Sequence, residues 1–193
     1  DASEAANENA AQRELSPLPI AISVVPPEPS PSMAPPPPQL EGLLASLLAR
    51  KVEEDPTAEV QALYALGEPA LSALLARFPG PLWFDRKRPH VRVPFGRDLG
   101  PVARALEVFG QQALARFAPL LRAADVEARY YATLFACEGV HSSLLEPLLE
   151  RLFDDDAQIR LLVRDVLPHY RRLPAFEPVA ERLCAQALAA RSA

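Results

Sequence analysis

Cysteine, histidine, lysine and glycine are all scarce in this chain, and each scarcity removes a class of protein. The two cysteines, Cys137 and Cys184, lie far apart with no CxxC or Cys/His spacing. Neither a disulfide framework nor a structural zinc site is therefore expected. His90, His141 and His169 are scattered without a Cys or Asp at ligand spacing, so no metal site is expected at them and they read as surface histidines. No glycine-rich phosphate loop, HExxH string or Ser-His-Asp order is present, and the chain reads as non-catalytic, with no cofactor. No run of 18 apolar residues could span a bilayer, and "DASEAANENAAQRE" lacks the basic-then-apolar order of a secretory signal. A reducing cytoplasm and no membrane association are the expectation. A net charge of −5 over 193 residues argues against a general polyanion binder, because phosphate neutralisation needs a basic face, and leaves room for local basic patches. Lysine occurs twice, against 18 arginines, which with abundant alanine and proline points to a GC-rich bacterial genome. The first residue is Asp rather than Met, so the chain is expected to be part of a larger protein.

Proline, by contrast, is abundant. Ten of the 22 prolines fall between Pro17 and Pro38. Without backbone N–H groups, such a segment prefers an extended polyproline II conformation, and residues 1–39 are predicted to form a disordered, proline-rich linker arm. Its one apolar island, "LPIAISVV" (Leu18 to Val25), has the β-branched residues of an extended strand. It reads either as spacer or as a short motif for the edge of a sheet.

From Leu40 onward the spacing becomes helical. In "DAQIRLLVRDVLPHY", Ile159, Leu162, Val163, Val166, Leu167 and Tyr170 form one stripe of a 3.6-residue helix. Asp156 is placed to cap it, and Pro168 to end or bend its last turn. Helices are predicted near 40–52, 57–66, 68–78, 98–109, 111–122, 125–138, 142–153, 156–170 and 175–190. Comparing the chain with itself shows two echoes. At a shift of 31, Asp125, Ala128, Arg129, Tyr131, Ala132 and Phe135 fall on Asp156, Ile159, Arg160, Leu162, Val163 and Val166. At a shift of 43, "ALYALGEPAL" (Ala62 to Leu71) falls on "ALEVFGQQAL" (Ala105 to Leu114). The difference of about a dozen residues matches an insertion, and repeats of two helices at this period mark an α-solenoid, whose units must stack to complete a core.

The stretch "LLERLFDDDAQIRLLVRDVL" (Leu148 to Leu167) resembles a HEAT repeat: a leucine-rich helix, an aspartate turn at Asp154, and the aliphatic-Arg pair Ile159–Arg160 opening the second helix. The unit with Asp125, Ala128 and Arg129 matches less fully, having Ala123 where Asp154 has its counterpart. "LGEPALSALLARF" (Leu66 to Phe78) is similar to the opening of another HEAT helix. The resemblance covers roughly residues 57–185. It implies an all-α fold, an α-solenoid of about four helix pairs over residues 40–193, and a protein-binding adaptor or scaffold function. HEAT-like DNA glycosylases and bilin-handling HEAT-like lyases provide the alternative, an enzyme or nucleic-acid protein on the same scaffold. Here, however, acids alternate with Arg122, Arg129, Arg160, Arg164, Arg171 and Arg172, which suits a solvated mixed-charge face with an Asp–Arg ladder between units better than a nucleic-acid track. Asp154, Asp155 and Asp156 likewise read as helix-capping acids rather than a metal patch. Cys184 falls on the apolar stripe of the last helix and is expected in the core.

The insertion, residues 79–97, lies within "FPGPLWFDRKRPHVRVPFGRD". Between Pro81 and Arg97 its formal charge is +4, opposite to the chain as a whole. Val91, Val93 and Phe95 alternate with Arg92 and Pro94, so the chain is expected to return against Leu82–Phe84 as a small hairpin or an ordered extended loop. Two readings of the insertion stand side by side. In one it is a plug whose aromatic residues cover the helices. In the other Trp83, Phe84, Arg86, Lys87, Arg88, Arg92 and Phe95 form a partner-binding site for an acidic protein surface, Trp and Arg being the residues that most often anchor interfaces.

Overall fold

The computed structural model describes residues 38–88 and 94–191. "LPIAISVV", the linker assignment up to residue 37, and Arg92 all lie outside the described residues. So does the returning arm of the expected hairpin at 91–93. The described residues are all-α, with no strand among them.

Eleven α-helices follow in order: α1 (Pro38–Leu48), α2 (Thr57–Leu66), α3 (Glu68–Ala76), α4 (Gly96–Leu99), α5 (Pro101–Phe109), α6 (Gln111–Leu114), α7 (Ala118–Leu121), α8 (Val126–Phe135), α9 (Leu145–Glu150), α10 (Ala157–Tyr170) and α11 (Phe176–Arg191). Short 3-10 turns flank α9 and follow α8. Helices close in sequence are mostly the ones that pack: α1 on α2, α2 and α3 on α5, α7 on α8, α8 on α10, and α9 on both α10 and α11.

Both echoes recur as geometry. Gly67 and Gly110 adopt nearly the same backbone conformation, with φ of 65° and 52° and ψ of −132° and −121°. Each donates its N–H three residues back, to Tyr64 and Glu107. Positive φ without a Cβ penalty is what glycine supplies at these corners. The paired residues Leu63 and Leu106, Ala70 and Ala113, and Leu71 and Leu114 are all buried. At the shift of 31, Asp125 accepts the amides of Glu127 and Ala128, and Asp156 those of Gln158 and Ile159. Arg129 Nη1 donates to the carbonyls of Ala123 and Ala124, and Arg160 Nη1 to those of Asp154 and Asp155. The same side chain thus ties the same turn twice, 31 residues apart.

Two predicted helices are interrupted, each where a carbonyl accepts a hydrogen bond from elsewhere in the chain. The helix expected at 98–109 breaks at Gly100, because the Leu99 carbonyl is taken by the Trp83 N–H at 2.8 Å. Pro101 then starts α5, where its missing N–H costs nothing. The helix expected at 111–122 breaks at 115–117. Pro119 cannot donate to the Ala115 carbonyl, which accepts the Ser143 hydroxyl at 3.3 Å instead. Pro168 is exposed and α10 continues only two residues beyond it. The core is contiguous from Leu40 to Tyr170. Its aromatic centre is Phe117 stacked on Phe135, with centroids 4.6 Å apart and Phe78 edge-on to both. Beyond it, α11 rests on α9 through the half-buried Phe176, Val179, Ala180 and Leu183. Cys184 is exposed rather than in the core: it sits one position past that stripe, on the outer side of a helix covered on one face only.

Candidate functional site

The insertion leaves α3 after the buried Phe78 and crosses close to α5. Gly80 has φ of 71°, and a Cβ there would meet Val102 Cγ2 at 2.5 Å, so the backbone passes where a side chain would not fit. Gly100 is constrained in the same way, its missing Cβ leaving room for the Pro81 carbonyl. Trp83 is then held at both ends of the residue: its amide bonds Leu99, and its indole N–H reaches the Arg50 carbonyl at 3.4 Å. Phe84 packs half-buried against the core, with its ring edge-on to Tyr131 and its carbonyl accepting the Tyr131 hydroxyl at 2.9 Å.

Next comes a tight turn. Asp85 accepts the Lys87 amide on Oδ1 at 2.9 Å, and its own carbonyl accepts the Arg88 amide at 3.1 Å. The turn sends consecutive basic side chains to opposite fates. Arg86 points inward, with its side chain 7% exposed. Its Nε and Nη2 grip Glu127 at 3.0–3.2 Å, and its Nη1 donates to Asp156 at 2.9 Å and to Gln158 at 3.0 Å. The guanidinium carbon lies 4.8 Å from the centre of the Tyr130 ring. One arginine therefore closes onto the first turns of both α8 and α10, where acidic groups are already favoured by the helix dipole. Burial works against its charge, but the hydrogen bonds to Glu127 and Asp156 outweigh it and hold the pKa above the ordinary arginine value. Burial also pushes the Asp156 carboxyl up. Arg86 and the Ile159 and Gln158 amides overcome that, leaving it below the usual carboxylate range.

Lys87 and Arg88 stay exposed, Arg88 at 80% with a loose contact to Asp85 at 3.4 Å. With Trp83, Phe84, Glu127 and Tyr131 they line an open depression of about 370 Å³. Phe95 lies farther along the insertion, exposed, with the Arg97 guanidinium 5.1 Å from its ring centre. The sequence candidates thus separate. Trp83, Phe84, Lys87 and Arg88 share one depression. Arg86 braces it from behind, and Phe95 stands apart from it.

Glu127, Tyr130 and Gln158, which receive Arg86, were not singled out by sequence, and Asp156 was read only as a cap. They lie 41 to 72 residues from Arg86, and no local pattern links them. Asp154 is the other acid whose role goes beyond the turn. It is 5% exposed and takes Arg129 Nε and Nη2 at 2.9 and 3.1 Å and Arg151 Nη1 at 2.9 Å. Asp154 thereby ties the turn before α10 to Arg129 of α8 and to Arg151. Arg122 pairs with Glu150 of α9 at 2.6 and 2.7 Å. Among the described residues no group of three or more His, Cys, Asp or Glu side chains converges as a metal site, and no helix is long and apolar enough to cross a membrane.

No family model, curated protein or solved structure matches this chain.

Proposed function

We propose that this chain is a non-catalytic protein-binding module, a HEAT-like α-solenoid scaffold that presents its 79–97 insertion to an acidic surface of a partner protein. The observation that carries this reading is the division of labour within Arg86–Lys87–Arg88. The first cation is consumed internally and fixes the turn. The next two stay exposed and line one open depression together with Leu82, Trp83, Phe84, Tyr131 and the acids Asp85 and Glu127. Aromatic side chains beside two exposed cations suit an acidic peptide or turn. The scaffold half of the reading is supported by the two recurring corner geometries and by the Arg129–Asp154 rung. The pairing of Arg122 with Glu150 and of Arg129 with Asp154 counts against a nucleic-acid track, because neutralised guanidiniums release no counterions.

The test is the Lys87→Glu/Arg88→Glu double variant, compared with wild type for capture of cross-linked partner from cell extract. Capture is expected to fall while the melting curve stays in place, since neither side chain packs on the core. Unchanged capture removes the depression from the binding site. Salt-sensitive binding of duplex DNA by the wild-type chain would move the function to the nucleic-acid alternative.

A further inference from the structure

Trp83 is the chain's only tryptophan, and its ring is set from outside the insertion. The amide bond to the Leu99 carbonyl fixes its backbone, whereas the direction of the indole depends on the Arg50 carbonyl, 3.4 Å from the indole nitrogen. Arg50 lies two residues beyond the end of α1 and outside any helix, so no helical ladder orients that carbonyl. The Arg50 side chain does so instead.

That side chain is fastened to Glu59, in the first turn of α2. The Glu59 side chain is 8% exposed, and its Oε1 accepts Arg50 Nε at 3.0 Å, Arg50 Nη2, and the Ser46 hydroxyl at 2.8 Å. Its Oε2 is also buried and has no hydrogen-bond partner among the described residues. A buried carboxylate answered on one oxygen does not readily release its guanidinium, because the charge left behind would have neither water nor a second cation. Arg50 is therefore held in one place against α2, and with it the acceptor that the indole uses. Ser46, Arg50 and Glu59 themselves do not line the depression.

Resting on the binding reading above, we infer that Arg50, held by Glu59, is a positioning residue for the depression, acting through Trp83 without touching the ligand. With its N–H taken by Arg50, the indole offers an arriving acidic peptide its ring rather than a donor, and Lys87 and Arg88 supply the polar contacts. Without Arg50 in place, the ring can turn about its two side-chain torsions while the amide stays on Leu99. The aromatic part of the depression then has no fixed shape, and ordering it on binding costs entropy. What Arg50 contributes is preorganisation rather than a contact.

A single tryptophan gives a single indole N–H resonance, and its shift and hydrogen exchange report the bond to Arg50 directly. Arg50→Ala should speed that exchange about tenfold, move Trp83 emission to longer wavelength while helicity is intact, and weaken binding of an octaglutamate peptide about threefold to tenfold. Because this change leaves the Glu59 carboxylate buried and unpaired, Arg50→Ala/Glu59→Met is made beside it. Removing both partners spares the fold, and the indole should be released as in the single variant. Leu149→Ala, which weakens the core at α9, should leave the indole shift and emission as in wild type. Lys87→Glu/Arg88→Glu should lose the peptide with the indole resonance unmoved. An unchanged indole resonance and emission in Arg50→Ala/Glu59→Met overturns the inference, as does a released indole with octaglutamate affinity unaltered. If wild type does not bind octaglutamate, it is the acidic-surface reading that fails, and a released indole still upholds the positioning of Trp83 by Arg50.

Discussion

Replacing Arg86 with alanine removes the one side chain that ties the insertion to two helix starts at once. The wild-type guanidinium donates to Glu127, Asp156 and Gln158 and lies over Tyr130. A hydrogen bond to a charged group contributes about 1.5–3 kcal/mol net, and a stacked cation about 0.5–1 kcal/mol at a partly exposed site. The full sum is not lost, because Glu127 and Asp156 remain 33% and 20% exposed and can rehydrate. About 2–3 kcal/mol is the reasoned cost, or roughly 5–10 °C in melting midpoint for a domain of this size. Arg86→Lys should recover only part of it, since an ammonium cannot bridge Glu127 and Asp156 with a planar fork. Urea denaturation followed by circular dichroism measures the cost, and a cycle with Glu127→Ala isolates the pair. If Arg86→Ala melts within about 1 °C of wild type, the brace is not stabilising and the insertion's geometry must be held by Trp83 and Phe84 alone.

Leu149→Ala and Leu162→Ala should each cost about 2–5 kcal/mol as large-to-small core changes, while the exposed Arg164→Ala should leave the denaturation midpoint nearly unmoved; the reverse order would refute the assigned phase of α10. Gly100→Ala should cost about 1–3 kcal/mol by overpacking, because its Cβ would run into the Pro81 carbonyl, and loss of Trp83 fluorescence shift would report the displaced insertion. In acid, Asp154 and Asp156 are held below the usual carboxylate range, and Glu59, gripped by Arg50 and Ser46, at about 2. Depressed folded-state values mean that their stabilisation is fully present above the unfolded value near about 4 and is lost as pH falls from there toward about 2. Denaturant midpoints should therefore hold down to about pH 5 and then drop, with a shallower drop in Arg86→Ala; a midpoint that rises on acidification would contradict these ion pairs.

The all-α class, most helix positions and the spacing of the two echoes were legible in the residues, because they depend on contacts three or four positions apart and on the backbone needs of Gly67, Gly110, Asp125 and Asp156. The same locality explains the errors. Nothing near Cys184 in the sequence says that α11 is covered on one face only, and nothing near Leu99 says that its carbonyl will be taken by Trp83. The insertion shows the limit most clearly. Composition marked Arg86, Lys87 and Arg88 as equivalent cations, and they are equivalent until the chain folds. Tertiary structure alone brings Glu127, Tyr130, Asp156 and Gln158 to one of them, burying Arg86 where its charge is fully answered and leaving its two neighbours in water. Which side chain of a charged run becomes a brace and which remain free to bind depends on carboxylates 41 and 70 residues away. Coulomb attraction and desolvation act on distance in space, which a linear pattern does not contain.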